Sequence, residues 1–426
     1  MKRLRFLSLI VALSFVGSIL AYWWNDWCLE RHLSVARSAL MSRDTKQALA
    51  ALEAAAQVDP ASSEVQFWMA RAHRRRGRLN DVHRYLQRAN QLGISKSRIL
   101  REEWLAMAQA GQMAEAELHL SELLFNPNDD GPDICEAYAN GYLVSHRYSE
   151  AFAIVDAWQK DYPKDPQPHV FRGMVANINS SWKMAAEHFQ TALDLAPQRD
   201  DIRLQLANAL LALRNTTEAA SQFQQLLKSC PDDSLVQTGW GRTLLEMGQL
   251  DKAREIFAEA LKAHPQDFDV LLALGQVELS ANRLDEALPL LRQAVLLAPD
   301  DSEARNALAN VLQRIGLTTE ARSHFEFVAQ AQETNARIQT LRERVSINSK
   351  DLDSRYELSE LLRGNHNQTD RIQWLRSIIE IDPKHQRAQA ALAEHYEKTG
   401  DTEMAARHRV LSDVLTRASS AVEGKP

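Results

Sequence analysis

Five prolines of this chain are evenly spaced. The interval from each to the next is the same for Pro163, Pro197, Pro231, Pro265 and Pro299. Proline lacks a backbone N–H and disfavours helical geometry in the residue before it, so each of these positions is expected to end a helix. Five helix ends on one period indicate a single supersecondary motif copied in tandem. Such repeats stack lengthwise, so the chain length of 426 residues does not imply two or three globular domains.

The residues between the prolines also repeat at matching positions. The two clearest repeats share a small residue in a first helix, a small residue early in a second helix and a phenylalanine near its middle: Ala207, Ala219 and Phe223 in one, Gly241, Ala253 and Phe257 in the next. Small residues let two antiparallel helices approach closely, and the phenylalanine fills the wedge between them. No β-rich alternating stretch occurs, which favours a mostly helical chain.

This pattern resembles the tetratricopeptide repeat family, whose repeat is a pair of antiparallel helices with the same period as these prolines, about 34 residues. The resemblance covers nearly everything after residue 28 and extends to about eleven repeats. It implies an all-α fold, a helix-turn-helix solenoid wound as a right-handed superhelix. It also implies a concave groove that holds other proteins.

The repeat register changes once. The interval from Pro299 to Pro383 is longer than two repeats and shorter than three, and Glu333 stands where a proline is expected. Good helix formers continue past Glu333, so the second helix of the repeat at 302–335 should run on until a turn at 348–351. The predicted domains are an anchor over 1–28, a solenoid of about nine repeats over 29–331, a helical interruption over 332–351, C-terminal repeats with a cap over 352–420, and a tail over 421–426.

The N-terminus carries an uncharged apolar run from Phe6 to Trp24, preceded by three basic residues. Nineteen helical residues can cross a bilayer core. Tryptophans at 23, 24 and 27 are typical of an interfacial aromatic belt, which favours an uncleaved signal anchor. A cleaved secretory signal is the alternative, although Ile19-Leu20-Ala21 offers a poor cleavage site. A buried helix is a third possibility.

The bases before this run predict the orientation of the chain. Lys2, Arg3 and Arg5 should stay in the cytoplasm under the positive-inside rule. We therefore predict a single-pass membrane protein whose repeats lie on the far side, in the periplasm if the cell is bacterial.

Arginines are concentrated in the second and third repeats. In the helix register of the family, Arg71, Arg74, Arg98 and Arg101 should face the concave groove. There they could bind an acidic peptide or anionic lipid head groups near the anchor. The alternative interpretation is a solvated face that keeps the protein soluble.

Asparagines form the second candidate set. The groove positions implied by the resemblance include Asn140, Asn208, Asn306 and Asn310. An amide side chain donates and accepts at once, so spaced copies can hold an extended peptide backbone. Isolated polar surface residues are the alternative interpretation.

The sequence contains no motif for catalysis, a cofactor or a metal: GxxxxGK[ST], GxSxG, HExxH and CxxC are all missing. Three scattered cysteines do not make a disulfide framework or a zinc site. The net charge of −6 argues against nucleic acid as a partner.

We therefore predict a non-enzymatic, membrane-tethered scaffold that binds a protein or peptide and needs no cofactor. One alternative is a non-catalytic subunit of a cell-envelope assembly for secretion, polysaccharide export or cytochrome maturation. Another is an enzyme in which the repeats serve a catalytic module, for which no segment is left over.

Overall fold

The computed structural model describes residues 23–363 and 368–423, with side chains described as far as residue 413. Within these residues it contains 22 α-helices and one short 3-10 helix, and no β-strand. The all-α prediction is therefore confirmed for the part of the chain that the structure describes.

The helices form eleven pairs, each an odd-numbered first helix followed by an even-numbered second helix. The first six pairs are α1 (23–41) with α2 (Thr45–Val58), α3 (Ser63–Arg75) with α4 (Leu79–Gln91), α5 (Lys96–Gln109) with α6 (Met113–Phe125), α7 (Gly131–Val144) with α8 (Tyr148–Asp161), α9 (Gln167–Ile178) with α10 (Trp182–Leu195), and α11 (Asp200–Ala212) with α12 (Thr216–Ser229). The other five pairs are α13 (Ser234–Glu246) with α14 (Leu250–Ala263), α15 (Phe268–Ser280) with α16 (Leu284–Leu297), α17 (Ser302–Arg314) with α18 (Thr318–Ile347), α19 (Leu352–Leu361) with α20 (Gln368–Ile381), and α21 (Gln386–Thr399) with α22 (Thr402–Glu423). The 3-10 helix, Asn128–Asp130, precedes α7.

The chain forms two compact units, unit 1 over Met1–Ile154 and unit 2 over Val155–Pro426. Inside each unit, the apolar core is a row of small clusters between neighbouring helices. In unit 1, for example, Leu33 of α1 clusters with Leu52 of α2 and Val65 of α3. In unit 2, helices α13 to α15 contribute to another such cluster. Apolar clusters between neighbouring helices are what a stack of repeats requires.

The turn inside a pair is built on a residue with positive φ. These residues are Arg43, Gly77, Gly111, His146, Ser180, Arg214, Gly248, Asn282, Gly316 and Gly400. At the end of α13, the N–H of Gly248 donates to Leu245 and that of Gln249 donates to Leu244, both at 2.9 Å. This double closure is the Schellman motif, and it satisfies carbonyls that the helix end would leave unpaired.

The turn between pairs joins a proline to a capping aspartate. Asp233, Asp267 and Asp301 each stand two residues after one of the evenly spaced prolines. Their carboxylates accept hydrogen bonds from backbone N–H groups in the first turn of α13, α15 and α17. The proline thus ends one helix and the aspartate starts the next.

The predicted wedge between paired helices is present in unit 2. Phe223 and Phe257 are fully buried. A Cβ added to Gly241 would lie 2.5 Å from the ring of Phe257 on the paired helix α14, and one added to Gly239 would lie 2.4 Å from the ring of Phe223 on α12, in the preceding pair. Glycine at these two positions therefore allows a close approach that a larger residue would prevent.

The overlong helix expected from the register is α18, which is 30 residues long. The turn that follows it ends where α19 begins, at Leu352. The second half of α18 buries Ile338, Leu341 and Val345 in a cluster with Trp374 of α20. The added turns are therefore packed along one side, with the rest of their surface in solvent.

Residues 1–22 lie outside the described residues, so the predicted anchor is described only in its last few positions. Among the helices that the structure does describe, none combines the length and the apolar character that crossing a bilayer requires.

Candidate binding surfaces

A cluster of arginines and carboxylates occupies the interior of unit 1. At its centre, Glu102 of α5 is fully buried. Its carboxylate accepts hydrogen bonds from Nε of Arg71 at 3.0 Å and from Nε of Arg74 at 2.5 Å. Arg74 is only 1% exposed. The two guanidinium groups on α3 therefore point at a residue of the chain itself.

Further carboxylates complete this cluster from the start of α7. Arg71 donates to both oxygens of Asp130, at 2.7 and 3.2 Å. The carboxylate of Asp133 accepts from Arg74 at 3.4 Å and also from Arg75. Because α3, α5 and α7 are consecutive first helices, the cluster ties three repeats together.

Mutual attraction favours the ionised forms of Glu102, Asp133 and Arg71. Burial alone raises the pKa of the Glu102 carboxyl, but Arg74 and Arg71 outweigh burial and the net pKa is lowered. The pKa of Asp133 is lowered in the same way, by Arg75 and Arg74. For Arg71, burial favours the neutral form, and Glu102 and Asp130 reverse the effect so that its pKa rises. Such a network holds helices in register and offers no free charge to a ligand.

The other two predicted groove arginines also have partners within unit 1. Arg98 lies over the Phe67 ring at 4.2 Å and forms a two-pronged pair with Glu64, at 2.5 and 3.0 Å. Arg101 donates to the backbone carbonyls of Asn126 and Pro127, at 2.9 and 2.8 Å.

Arg71 and Arg74 are therefore buried ion-pair partners and do not line an open basic groove, whereas Arg98 and Arg101 are partly exposed and their place in a binding groove stays a prediction. The physical reason is charge compensation by residues from neighbouring repeats, which the sequence interpretation did not pair with them. Glu64 and Arg98 are 34 residues apart, which is one repeat. The separation of one repeat could have indicated this ion pair from the sequence, but the pair was not predicted.

The exposed arginines lie elsewhere in unit 1. Four of them occupy the turn before α4 and the outer face of α4, and we call them the α4 basic strip: Arg76, Arg78, Arg84 and Arg88. The opposite face of α4 buries Val82, Leu86 and Ala89. The strip is thus the solvent side of an amphipathic helix.

The four asparagines lie on first helices, Asn140 in unit 1 and the others in unit 2. Asn208 and Asn306 are exposed, whereas Asn140 and Asn310 are half-buried. The amide of Asn310 donates to the Asn306 carbonyl at 2.7 Å, one turn earlier in α17. Asn208 and Asn306 therefore keep side chains that a partner can reach.

Four first helices of unit 2, α11, α13, α15 and α17, form a continuous surface. Helix α11 contacts α13, α13 contacts α15, and α15 contacts α17, whereas the second helices contact one another less. Polar contacts also join neighbouring first helices: Arg242 to Asp269 at 3.3 Å, and Gln276 to Glu303 at 2.8 Å. Among the residues described here, no group of three potential metal ligands occurs.

The tetratricopeptide repeat family model matches the chain over residues 39–92, 181–239, 244–311 and 278–345, about half of its length. No protein of curated function matches the chain.

Solved structures similar to this chain include TTC0263, a tetratricopeptide repeat protein of Thermus thermophilus, with 21% identity, a TM-score of 0.36, and coverage of 46% of this chain and 98% of that one. MamA of Desulfovibrio magneticus RS-1 has 19% identity and a TM-score of 0.33, covering 40% of this chain and 96% of that one. Human IFIT1, solved as a dimer with PPP-AAAA, has 16% identity and a TM-score of 0.41, covering 84% of this chain and 92% of that one.

Proposed function

Because the chain belongs to the tetratricopeptide repeat family, we propose that it is a non-catalytic scaffold that binds a partner protein. Stacked repeats present extended surfaces, and proteins built this way use those surfaces for recognition. The proposal includes a tether: the segment before α1 holds the protein at a membrane, with the repeats on the side away from the cytoplasm.

The observation that carries the scaffold proposal is the continuous surface of α11, α13, α15 and α17. Its first helices contact one another from repeat to repeat. Asn208 near one end and Asn306 near the other expose amide side chains on it. An amide can bond either the N–H or the C=O of a bound chain, which suits a segment whose backbone lies across several repeats.

The tether rests on the sequence from Phe6 to Trp24 and on the tryptophans at the start of α1. Trp23, Trp24 and Trp27 are 71%, 64% and 53% exposed. The rings of Trp24 and Trp27 lie 5.3 Å apart. Exposed tryptophans next to an apolar segment match the aromatic residues found where a membrane helix leaves the bilayer.

The scaffold is tested by affinity purification of the full-length protein from detergent-solubilised membranes. We expect a discrete partner protein in the wild-type eluate, reduced in the Asn208→Ala/Asn306→Ala double variant. Asn310→Ala is the matched control, since its amide is used within α17. A wild-type eluate without any partner would contradict the scaffold. Recovery of a fixed set of envelope proteins would favour the assembly-subunit alternative.

The tether is tested separately by washing membranes in carbonate at high pH. The full-length protein should stay with the membrane pellet. Release of a soluble form that begins near Tyr22 would show that the N-terminal segment is a cleaved signal.

A further inference from the structure

The α4 basic strip holds more positive charge than unit 1 neutralises. Among the described residues, Asp81 is the only carboxylate on α4 or on the turn before it. It lies 3.0 Å from Arg84 and 3.5 Å from Nδ1 of His73. Arg88 donates to the amide oxygen of Gln91 at 3.3 Å. Four guanidinium groups thus face one shared, partly exposed carboxylate.

No ion pair to Arg76, Arg78 or Arg88 forms within the part of the chain that the structure describes. The contrast with α3 is direct, since Arg71, Arg74 and Arg75 all contact carboxylates of α5 or α7. Two adjacent helices of one pair therefore use arginine in opposite ways. Those on α3 hold the unit together, whereas among the strip arginines of the described structure only Arg84 pairs with a carboxylate, that of Asp81, and it also lies over the Tyr85 ring at 5.0 Å.

The strip is narrow and runs along the helix axis. Arg78 and Arg88 are ten residues apart, which is about 15 Å of helix. The preceding and following second helices expose acidic residues, with Glu53 on α2, which also exposes the base Lys46, and Glu115 and Glu122 on α6. The positive surface is therefore about one helix wide.

We propose that the α4 basic strip binds an acidic segment of the partner protein, lying along α4. This inference deepens the proposed scaffold function and rests on it, because it names the chemistry of a partner. Arg84 and Arg88 lie one helical turn apart on the same face. Their spacing of about 6 Å matches carboxylates at alternate positions of an extended chain, or four positions apart on a helix. Each guanidinium can hold a carboxylate through two hydrogen bonds.

The direction of the strip favours a protein segment over a lipid surface. In the proposed tethering, the bilayer lies beyond the N-terminal end of α1. Successive helices are antiparallel, so a bilayer there faces the ends of α3 and α4 and not their sides. A flat anionic surface would meet one end of the strip, whereas a segment parallel to α4 can contact Arg84 and Arg88 together.

The test uses full-length protein in non-ionic detergent and a fluorescein-labelled 14-residue peptide of alternating glutamate and serine. Binding is followed by fluorescence anisotropy over a range of salt concentrations. The Arg84→Gln/Arg88→Gln double variant should bind about tenfold more weakly than the wild type, since each exposed charge contact contributes up to about a factor of five. The Arg84→Lys/Arg88→Lys variant should recover part of the affinity.

The matched control is Arg292→Gln/Arg337→Gln. These two arginines are 49% and 43% exposed, and each already pairs with a glutamate. Equal loss in the control and the strip variant would show that net charge alone governs binding, and would overturn the inference. The inference would also be overturned if the wild-type protein did not bind the peptide. It would be overturned as well if the strip variant lost binding to phosphatidylglycerol vesicles but still bound the peptide. Circular dichroism checks that every variant remains folded.

Affinity purification separates this inference from the scaffold proposal. If the wild type and the strip variant retain the same partner equally, the scaffold stands and the strip is not its docking surface. If neither retains a partner, the scaffold itself has failed.

Discussion

Changing Glu102 to glutamine should destabilise unit 1 far more than the small chemical difference between the two side chains suggests. The substitution keeps the shape of the side chain and one acceptor oxygen, but it removes a negative charge at a fully buried position. Arg71 and Arg74 both direct Nε at this carboxylate, at 3.0 and 2.5 Å. After the change, two buried guanidinium groups would share less negative charge.

The remaining contacts set the size of the effect. Removing one partner from a buried ion pair costs about 3–5 kcal/mol. Arg71 would still hold Asp130 at 2.7 Å, and Arg74 would still have Asp133 at 3.4 Å. Because neither arginine is left without a carboxylate, we expect the lower end of that range, about 3 kcal/mol in the free energy of opening.

Amide hydrogen exchange of the full-length protein in detergent can measure this change helix by helix. Protection should fall in α3, α5 and α7 and remain unchanged in α11 to α17, since stability in a stack of repeats spreads mainly to neighbours.

Glu64→Gln is the control, because it removes the charge of another carboxylate that accepts two arginine hydrogen bonds, in a pair where the Arg98 and Glu64 side chains are 38% and 35% exposed. That variant should lose less than about 1 kcal/mol. Equal losses for the two variants would refute the claim that burial makes the Glu102 network matter.

Four further outcomes are expected. Because the folded pKa of Glu102 is lowered, its stabilisation is complete above its unfolded pKa, about 4.3, and the protection factors of amides in unit 1, taken against the intrinsic exchange rate at each pH, should decrease as the pH falls below that value. Phe257→Ala should cost about 3–5 kcal/mol, detected as lost protection in α13 to α15. Arg214→Gly should raise the free energy of unfolding in urea by about 1 kcal/mol, because glycine adopts the left-handed conformation of this exposed position without strain. Gly248→Ala should lower the free energy of unfolding by a similar amount, for the opposite reason. Limited proteolysis should cut first at 346–349, and first cuts at the proline turns would mean that this segment is packed.

The helix pairs were predictable because their determinants are local. A proline, a capping aspartate and a buried phenylalanine act within one repeat, so the sequence period reports them directly. The extra turns of α18 were predictable for the same reason, since the even proline spacing is broken between Pro299 and Pro383. The left-handed turn residues follow the same period. Several of them, including Arg43 and Arg214, are not glycine, so their residue type does not indicate a left-handed conformation.

The binding surfaces were less predictable because they depend on which residues of different repeats meet. Arg71 and Arg74 were expected in an open groove. Their partners Glu102 and Asp133 follow at separations of 28 to 59 residues. Nothing within the repeat of α3 and α4 indicates that these charges are cancelled. The asparagine positions on first helices remain a prediction about binding.

The same sequence separation has different consequences on the two kinds of helix. Glu102 follows Arg71 by 31 residues, and the two are a buried ion pair. Glu115 follows Arg84 at the same separation, yet these two form no ion pair in the described structure. Helices α3 and α5 contact each other, whereas α4 and α6 have fewer contacts. Equal spacing along the sequence therefore gives a buried charge pair between α3 and α5 and leaves Arg84 and Glu115 unpaired with each other between α4 and α6. Within unit 1, an exposed arginine on α4 is by this reasoning a better candidate for binding a partner than Arg71 or Arg74 on α3.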